Sequence, residues 1–135
     1  MAIQLSVEAR NARLDAIETT LGTSPLLRFY TGSMPANTAA AATGTLVAEA
    51  TLPSDFMANA ASGSKSLSGT WQDTAANNAG TIGYYRIYNS AGTRCDIQGT
   101  VTNSGGGGDM EVQNTSVNAG QQITITAYTL TDANA

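Results

Sequence analysis

The fold of this chain is decided by one stretch of its 135 residues, Thr81-Ile82-Gly83-Tyr84-Tyr85-Arg86-Ile87-Tyr88-Asn89-Ser90-Ala91-Gly92. The first eight residues give the strongest strand signal in the chain, with apolar and aromatic side chains on both alternating faces. The segment Asn89 to Gly92 is typical of a hairpin turn. Alternation resumes after the turn and predicts a returning strand at Cys95, Ile97, Gly99 and Val101.

Period-two alternation extends to both sides of this hairpin. It predicts strands over 26–31 and 46–52, a strand with Leu67, Gly69 and Trp71 on one face, and a short strand over 110–113. In the last strand, Ile123, Ile125 and Ala127 alternate against Thr124, Thr126 and Tyr128. The segment 56–58 fits one helical turn. Seven or eight short strands separated by turns predict a mainly β chain, a sandwich or a barrel.

The N-terminal segment follows a helical pattern instead. Ser6 is a suitable N-cap, Leu14, Ile17 and Leu21 recur at helical spacing, and Gly22 is a suitable terminator. The sequence therefore predicts a helical arm over residues 1–24 and a β-sandwich domain over residues 25–135.

Two roles are open for this helix. It packs on its own sheet through its apolar stripe, or it packs on a partner chain or a symmetry mate. The side chains expected at an interface are Arg10, Arg13, Leu14, Ile17, Leu21 and Tyr85.

Composition narrows the function. Charged residues make up 12% of the chain, against about 25% in ordinary soluble domains, and small polar residues replace them. Such a surface has a low desolvation and side-chain entropy cost when it meets another protein. The net charge of −4 argues against nucleic acid as a partner. The sequence has neither a secretory signal nor an apolar run that would span a membrane, so we expect neither classical secretion nor membrane anchoring.

The residue inventory argues against catalysis. Histidine is absent and Cys95 is the only cysteine, so the usual nucleophile arrangements and zinc sites cannot form. The carboxylates that could form an acid pair lie in no known motif: Asp55, Asp73, Asp96, Asp109 and Glu111. We expect no enzyme, no catalytic residue, no metal site and no cofactor.

The glycine run Gly105–Gly108 lacks the lysine and the following helix of a phosphate-binding loop. A flexible loop, or a loop ordered by a neighbouring subunit, is the better interpretation. A calcium site using Asp109 and Glu111 is a weaker alternative, because the spacing matches no EF-hand.

Four aromatic residues leave three interpretations open: Trp71, Tyr84, Tyr85 and Tyr88. They fill the core of the sandwich, form a protein interface, or form a platform for a sugar.

Several segments resemble small proteins encoded in the structural regions of tailed phages and prophages. The segments that carry the resemblance are Ala2 to Glu18, Leu52-Pro53-Ser54-Asp55, Gly69-Thr70-Trp71-Gln72-Asp73, Arg86-Ile87-Tyr88, Gly99-Thr100-Val101 and Gly105 to Met110. Such proteins look like capsid decoration, or cement, proteins. The resemblance implies a jelly-roll-like antiparallel β-sandwich with an N-terminal α-helix, and it carries no active site.

The expected function is that of a virion structural protein made in the host cytoplasm. The resemblance implies that it sits on the outer surface of the capsid, binds the major capsid protein and associates with itself as a dimer or trimer. A carbohydrate- or receptor-binding module of the virion is the alternative.

Overall fold

The predicted hairpin lies at the centre of the structure, a computed structural model that describes residues 3–134. In chain order the elements are α1 (Val7–Leu21), β1 (Leu26–Thr31), β2 (Leu46–Thr51), β3 (Ser64–Ser66), β4 (Gln72–Asp73), β5 (Gly80–Tyr88), β6 (Cys95–Asn103), β7 (Met110–Val112), β8 (Ser116–Val117) and β9 (Ile123–Thr131). The predictions of a mainly β chain and of an N-terminal helix are both confirmed.

The strands form one open sheet in the order β2-β1-β5-β6-β7-β9-β3, with β4 paired to β9 and β8 paired to β5. The β5–β6 hairpin is antiparallel, with Tyr85 opposite Gly99. The Asn89 side-chain oxygen accepts hydrogen bonds from the Thr93 and Arg94 N–H groups at 2.9 and 3.1 Å and fixes the turn. A Cβ at Gly99 would lie 2.7 Å from the Tyr85 ring, which explains a glycine inside this strand.

One strand pair contradicts the expectation of an antiparallel sandwich. β6 and β7 are parallel, with Val101 opposite Met110, so the sheet is mixed. Parallel neighbours usually need a crossover of about a dozen residues, whereas residues 104–109 suffice here. Gly105 and Gly107 adopt φ values of +84° and +80°, a conformation that glycine adopts readily. The glycine run therefore turns the chain back so that β7 runs beside the end of β6.

The core lies between the inner faces of the strands. Phe29, Phe56, Trp71, Ile87 and Met110 are among its fully buried members. Both faces of β5 are covered, as its sequence predicts. The second face lies beneath the segment 32–45, whose backbone accepts hydrogen bonds from side chains of β5 and β6.

Three local predictions are wrong. Residues 56–58 form no helical turn, because Met57 bridges to Leu67 as extended chain. Residues 67–71 form no continuous strand, since Gly69 has a φ of +72°. In β9, Tyr128 is buried and Ala127 is exposed. A register shift in the β7–β9 pairing, between Glu111 and Val112, reverses the faces at this point.

Candidate interaction surface

The helix is fixed to the sheet by a buried lysine. Lys65 on β3 is 1% exposed, and its Nζ lies 2.5 Å from Asp15 Oδ1 and 2.6 Å from Glu18 Oε2. It also donates a hydrogen bond to the Ala58 carbonyl at 3.0 Å. Because Asp15 and Glu18 are three positions apart, both carboxylates face the same side of α1. One ammonium therefore holds the helix at two points.

These contacts shift the pKa values of Lys65 and Asp15. Burial alone would lower the pKa of Lys65, but the hydrogen bonds with Asp15 and Glu18 outweigh it and raise that pKa. The pKa of Asp15 is lowered, first by the hydrogen bond from Lys65 and second by one from the Ala60 N–H group. The ion pair is therefore charged throughout the neutral pH range.

A second set of contacts joins α1 to the end of the chain. Arg13 Nε lies 3.2 Å from Asp132 Oδ2, and Arg10 Nη1 donates to the Asp132 carbonyl at 3.2 Å. Before the helix, the Leu5 N–H group donates to the Asn134 carbonyl at 2.7 Å. Residues 3–21 are thus integrated with the β-domain rather than detached from it.

Burial corrects half of the predicted interface. Leu14, Leu21 and Tyr85 are 4%, 1% and 2% exposed, so their side chains stabilise the chain's own core and do not reach its surface. Ile17 is half-buried and packs against that core. The apolar stripe of the helix therefore packs on its own sheet, which was the first of the two alternatives.

Two of the remaining predicted interface residues, Arg13 and Ile17, border a groove beside α1. The groove holds about 560 Å³ and lies between Arg13, Ala16 and Ile17 on the helix and residues 131–134 at the end of the chain. A smaller groove of about 240 Å³ continues from the same three helix residues towards Thr20 and Asp96. The Arg13 side chain is 58% exposed, whereas Arg10 is half-buried. Arg13 and Ile17 are therefore the predicted interface residues that line the groove, and Ala16, which was not predicted, lies between them.

Three of the four aromatic candidates belong to the interior. Trp71 Nε1 donates to the Phe56 carbonyl at 2.9 Å within the core. The hydroxyls of Tyr85 and Tyr128 lie 2.7 Å apart, and burial raises the pKa of both tyrosines. Tyr84 is fully buried on the opposite face of β5. The structure therefore offers no sugar platform made of Trp71, Tyr84 and Tyr85.

Tyr88 is the exception among the four. It is half-buried at the end of β5, and the Arg28 guanidinium lies 4.4 Å from the centre of its ring, a cation–π contact. Arg28 in turn pairs with Glu49 at 2.5 Å. The ring of this half-buried tyrosine is thus already in contact with a cation of its own chain.

The candidate carboxylates serve the fold instead of pairing with one another. Asp73 accepts from the Glu49 N–H group at 3.2 Å, Asp96 pairs with Arg94 at 2.5 Å, and Asp109 accepts from the Thr100 N–H and hydroxyl groups, each at 2.9 Å. Asp55 is exposed. Within residues 3–134, no three His, Cys, Asp or Glu side chains cluster closely enough to hold a metal ion.

The glycine loop is held by Glu111, which was considered as a calcium ligand. Its two carboxylate oxygens accept from the N–H groups of Gly105 and Gly107 at 2.9 and 3.2 Å. Backbone N–H groups that would face a phosphate in a phosphate-binding loop are thus directed at a carboxylate of the same chain. Residues 105–108 therefore form a loop, and a contact within the same chain holds it.

Sequence reasoning missed Lys65 and Asp132 as the residues that position α1. A partial signal exists for the first, because Asp15 and Glu18 place two acids on one helix face that also carries the apolar stripe. Nothing local identifies Lys65 as their partner, since it lies 50 residues from Asp15 in a segment with the composition of a loop.

No family model, no curated protein and no solved structure matches this chain. In the part of the chain that the structure describes, no helix has the length and apolar character needed to cross a bilayer.

Proposed function

We propose that the chain is a capsid decoration, or cement, protein of a tailed phage. In this role it is a virion structural protein on the outer surface of the head, where it stabilises the lattice of the major capsid protein. It is made in the host cytoplasm, associates with itself as a dimer or trimer, and uses no cofactor and no catalysis. A jelly-roll-like arrangement of the sandwich is part of this proposal.

The groove beside α1 is the observation that carries the proposal. Its walls are fixed, because Lys65 and Asp132 hold the helix and the buried Leu14 and Leu21 anchor it. A surface held in one conformation loses little entropy on binding. Arg13, Ala16 and Ile17 offer a charge, a small side chain and an apolar side chain within this groove, a mixture that suits a protein partner.

The low charge content supports the same role. Many copies that each bind weakly to a repeating lattice reach a strong total attachment through avidity. Thr, Ser and Ala side chains need little desolvation and little ordering at each contact. A cement protein therefore does not need a large charged or apolar patch.

The direct test is addition of the purified chain to expanded phage heads that lack decoration. Saturable binding and a higher temperature of head disruption are expected. The temperature is followed by light scattering and by release of packaged DNA. Heads that neither bind the protein nor gain heat resistance would contradict the proposal.

Two matched variants locate the contact. Ala16→Lys places a long cation in the groove and is expected to weaken binding to heads about tenfold or more. Ala12→Lys places the same side chain on an exposed helix position outside the groove and is expected to bind like the unmodified chain. Equal loss in both variants would argue against the groove as the contact.

The carbohydrate- or receptor-binding alternative loses its motivation with the burial of Trp71, Tyr84 and Tyr85. Binding on a glycan array that disappears on Tyr88→Ala substitution would restore it.

A further inference from the structure

Strand β2 lies at one end of the strand order, and its outer edge has no strand paired to it among the described residues. Leu52 N–H donates to the Pro25 carbonyl at 2.9 Å, so Leu52 and every second residue before it direct their backbone groups at β1. Glu49 and Thr51 therefore direct their backbone groups away from the sheet. Of the outward N–H and C=O groups of Glu49 and Thr51, only the Glu49 N–H group has a hydrogen-bond partner among the described residues, the Asp73 carboxylate.

Strand β4 lies across a groove from this edge of β2. The Ile125 N–H group donates to the Trp71 carbonyl at 3.0 Å, which by the same alternation turns the backbone groups of Gln72 away from β9 and towards β2. A groove of about 420 Å³ separates the two edges and is lined by Thr51, Pro53, Thr70 and Gln72 among others. Both walls thus present main-chain donors and acceptors without a strand between them.

Main-chain groups in such a row recognise an extended chain by strand addition. The free part of the β2 edge is short, because Asp73 occupies its inner end and the Leu52 N–H group is already bonded to Pro25. This chain pairs strands of that length elsewhere, since β3 and β7 have three residues each. A segment of three or four residues is therefore the right length for the groove.

The same chain carries a segment with these properties. Residues 3–6 are Ile-Gln-Leu-Ser, an alternation of apolar and polar residues. They precede the helix without forming regular structure, and Ser6 has extended backbone angles, φ −62° and ψ 162°. The Leu5 N–H group donates to the Asn134 carbonyl of the same chain at 2.7 Å. By strand alternation the backbone groups of Gln4 then face the other side of the segment, where a second copy can pair with them. Ile3 is 78% exposed, the largest exposure among the large apolar residues described. Burial of such an exposed isoleucine side chain against a neighbouring molecule would stabilise the association of the two molecules.

We infer that residues 3–6 of one copy add as a strand to the outer edge of β2 in a second copy. In this pairing the apolar side chains Ile3 and Leu5 continue the inner face that carries Ala50, and Gln4 and Ser6 continue the outer face that carries Glu49 and Thr51. The inference rests on the proposed self-association and specifies how it occurs. Because donor and acceptor are different surfaces, the contact closes by reciprocal exchange in a dimer or around a ring.

The test uses the full chain without phage heads, so that its failure is separate from failure of the proposed function. Sedimentation over a concentration series is expected to show a closed oligomer. Ile3→Asp removes the apolar donor, and Thr51→Pro removes the outward N–H group without touching the β1–β2 ladder. Each is expected to raise the dissociation constant of the oligomer at least about tenfold.

Matched controls separate these effects from unfolding. Met34→Asp removes another exposed apolar side chain, and Thr51→Val keeps the N–H group, so both are expected to associate normally. Circular dichroism checks that every variant is folded. A chain that stays monomeric, or variants Ile3→Asp and Thr51→Pro that associate as tightly as the controls, would overturn the inference.

A mixing experiment identifies the contact directly. Copies carrying Gln4→Cys are combined with copies carrying Thr51→Cys under oxidising conditions, and a disulfide between positions 4 and 51, which share the outer face in this pairing, is expected by mass spectrometry. Oligomers that form without this cross-link would show that a different surface joins the copies.

Discussion

Every cationic side chain of the molecule has an internal task. The chain has six. Arg10, Arg13 and Lys65 join α1 to the sheet, Arg28 and Arg94 pair with acids on the strands, and the buried Arg86 donates to Gln98 and to the Asn37 carbonyl. Few charges thus suffice because each one fixes a position in the fold. The low charge content is readable from the sequence, whereas these pairings join residues far apart in the chain and are not.

Acid is expected to act on the helix contact through Asp15. The lowered pKa of Asp15 in the folded chain means that its ion pair contributes stability at pH values above about 3.9, the ordinary pKa of an aspartate. This contribution is lost as the pH falls through the folded-state pKa, where Asp15 takes up a proton. Melting temperatures of Asp15→Asn between pH 2 and 6 are therefore expected to fall less steeply at the acid end than those of the unmodified chain.

Asp55→Asn is the control for this titration, because Asp55 is exposed and its side chain makes no hydrogen bond within the described chain. It should retain the full acid dependence. If Asp15→Asn and Asp55→Asn gave the same curve, the Lys65 contact would not be the origin of the effect.

At the scale of elements, the sequence predicts what is local and misses what is set by partner strands. The β5–β6 hairpin follows from alternation and one turn, and both lie within about twenty residues. The ends of α1 follow from Ser6 and Gly22, and the structure has them there. The parallel position of β7 and the register shift in β9 depend on neighbouring strands, so no local pattern could show them. The groove beside α1 was predictable only in Arg13 and Ile17, because local periodicity does not show which part of a helix face the sheet covers.

The hydroxyl contact between Tyr85 and Tyr128 joins two such elements, β5 and β9. Removing one hydroxyl leaves the other without a partner in the core, so Tyr85→Phe and Tyr128→Phe are each expected to cost about 1–2 kcal/mol. The double variant is expected to cost no more than the larger single change, because it leaves no unpaired group. Urea unfolding monitored by Trp71 fluorescence measures all three free energies of unfolding. Strictly additive losses would mean that the two hydroxyls are not coupled.

At the scale of the whole molecule, the helix and the sheet share one core among the described residues. Leu21 belongs to the same buried cluster as Phe29 and Trp71. The expectation of a helical arm distinct from the sandwich therefore gives way to a helix that is part of the folded unit from Val7 to Leu21. Its outer face remains available for contacts, so an interacting role for α1 no longer requires the helix to detach.

Unfolding is accordingly expected to be a single transition. Helical ellipticity at 222 nm and Trp71 fluorescence should change together with temperature, as for a two-state domain. Leu21→Ala is expected to lower stability by about 2–4 kcal/mol while keeping the two signals coincident. A helical signal that disappears before the fluorescence change would contradict this picture.

The short return between β6 and β7 has a consequence for how the chain folds. Three neighbouring strands at the middle of the sheet, β5, β6 and β7, come from the continuous segment 80–112. Their contacts close small loops, which form quickly because little chain entropy is lost. On a ribosome this segment is synthesised before β9 emerges, so the middle of the sheet has its own strand neighbours while the core side still lacks β9. Because the glycines of residues 105–108 keep the return between β6 and β7 short, we expect β5, β6 and β7 to associate before β9 joins them.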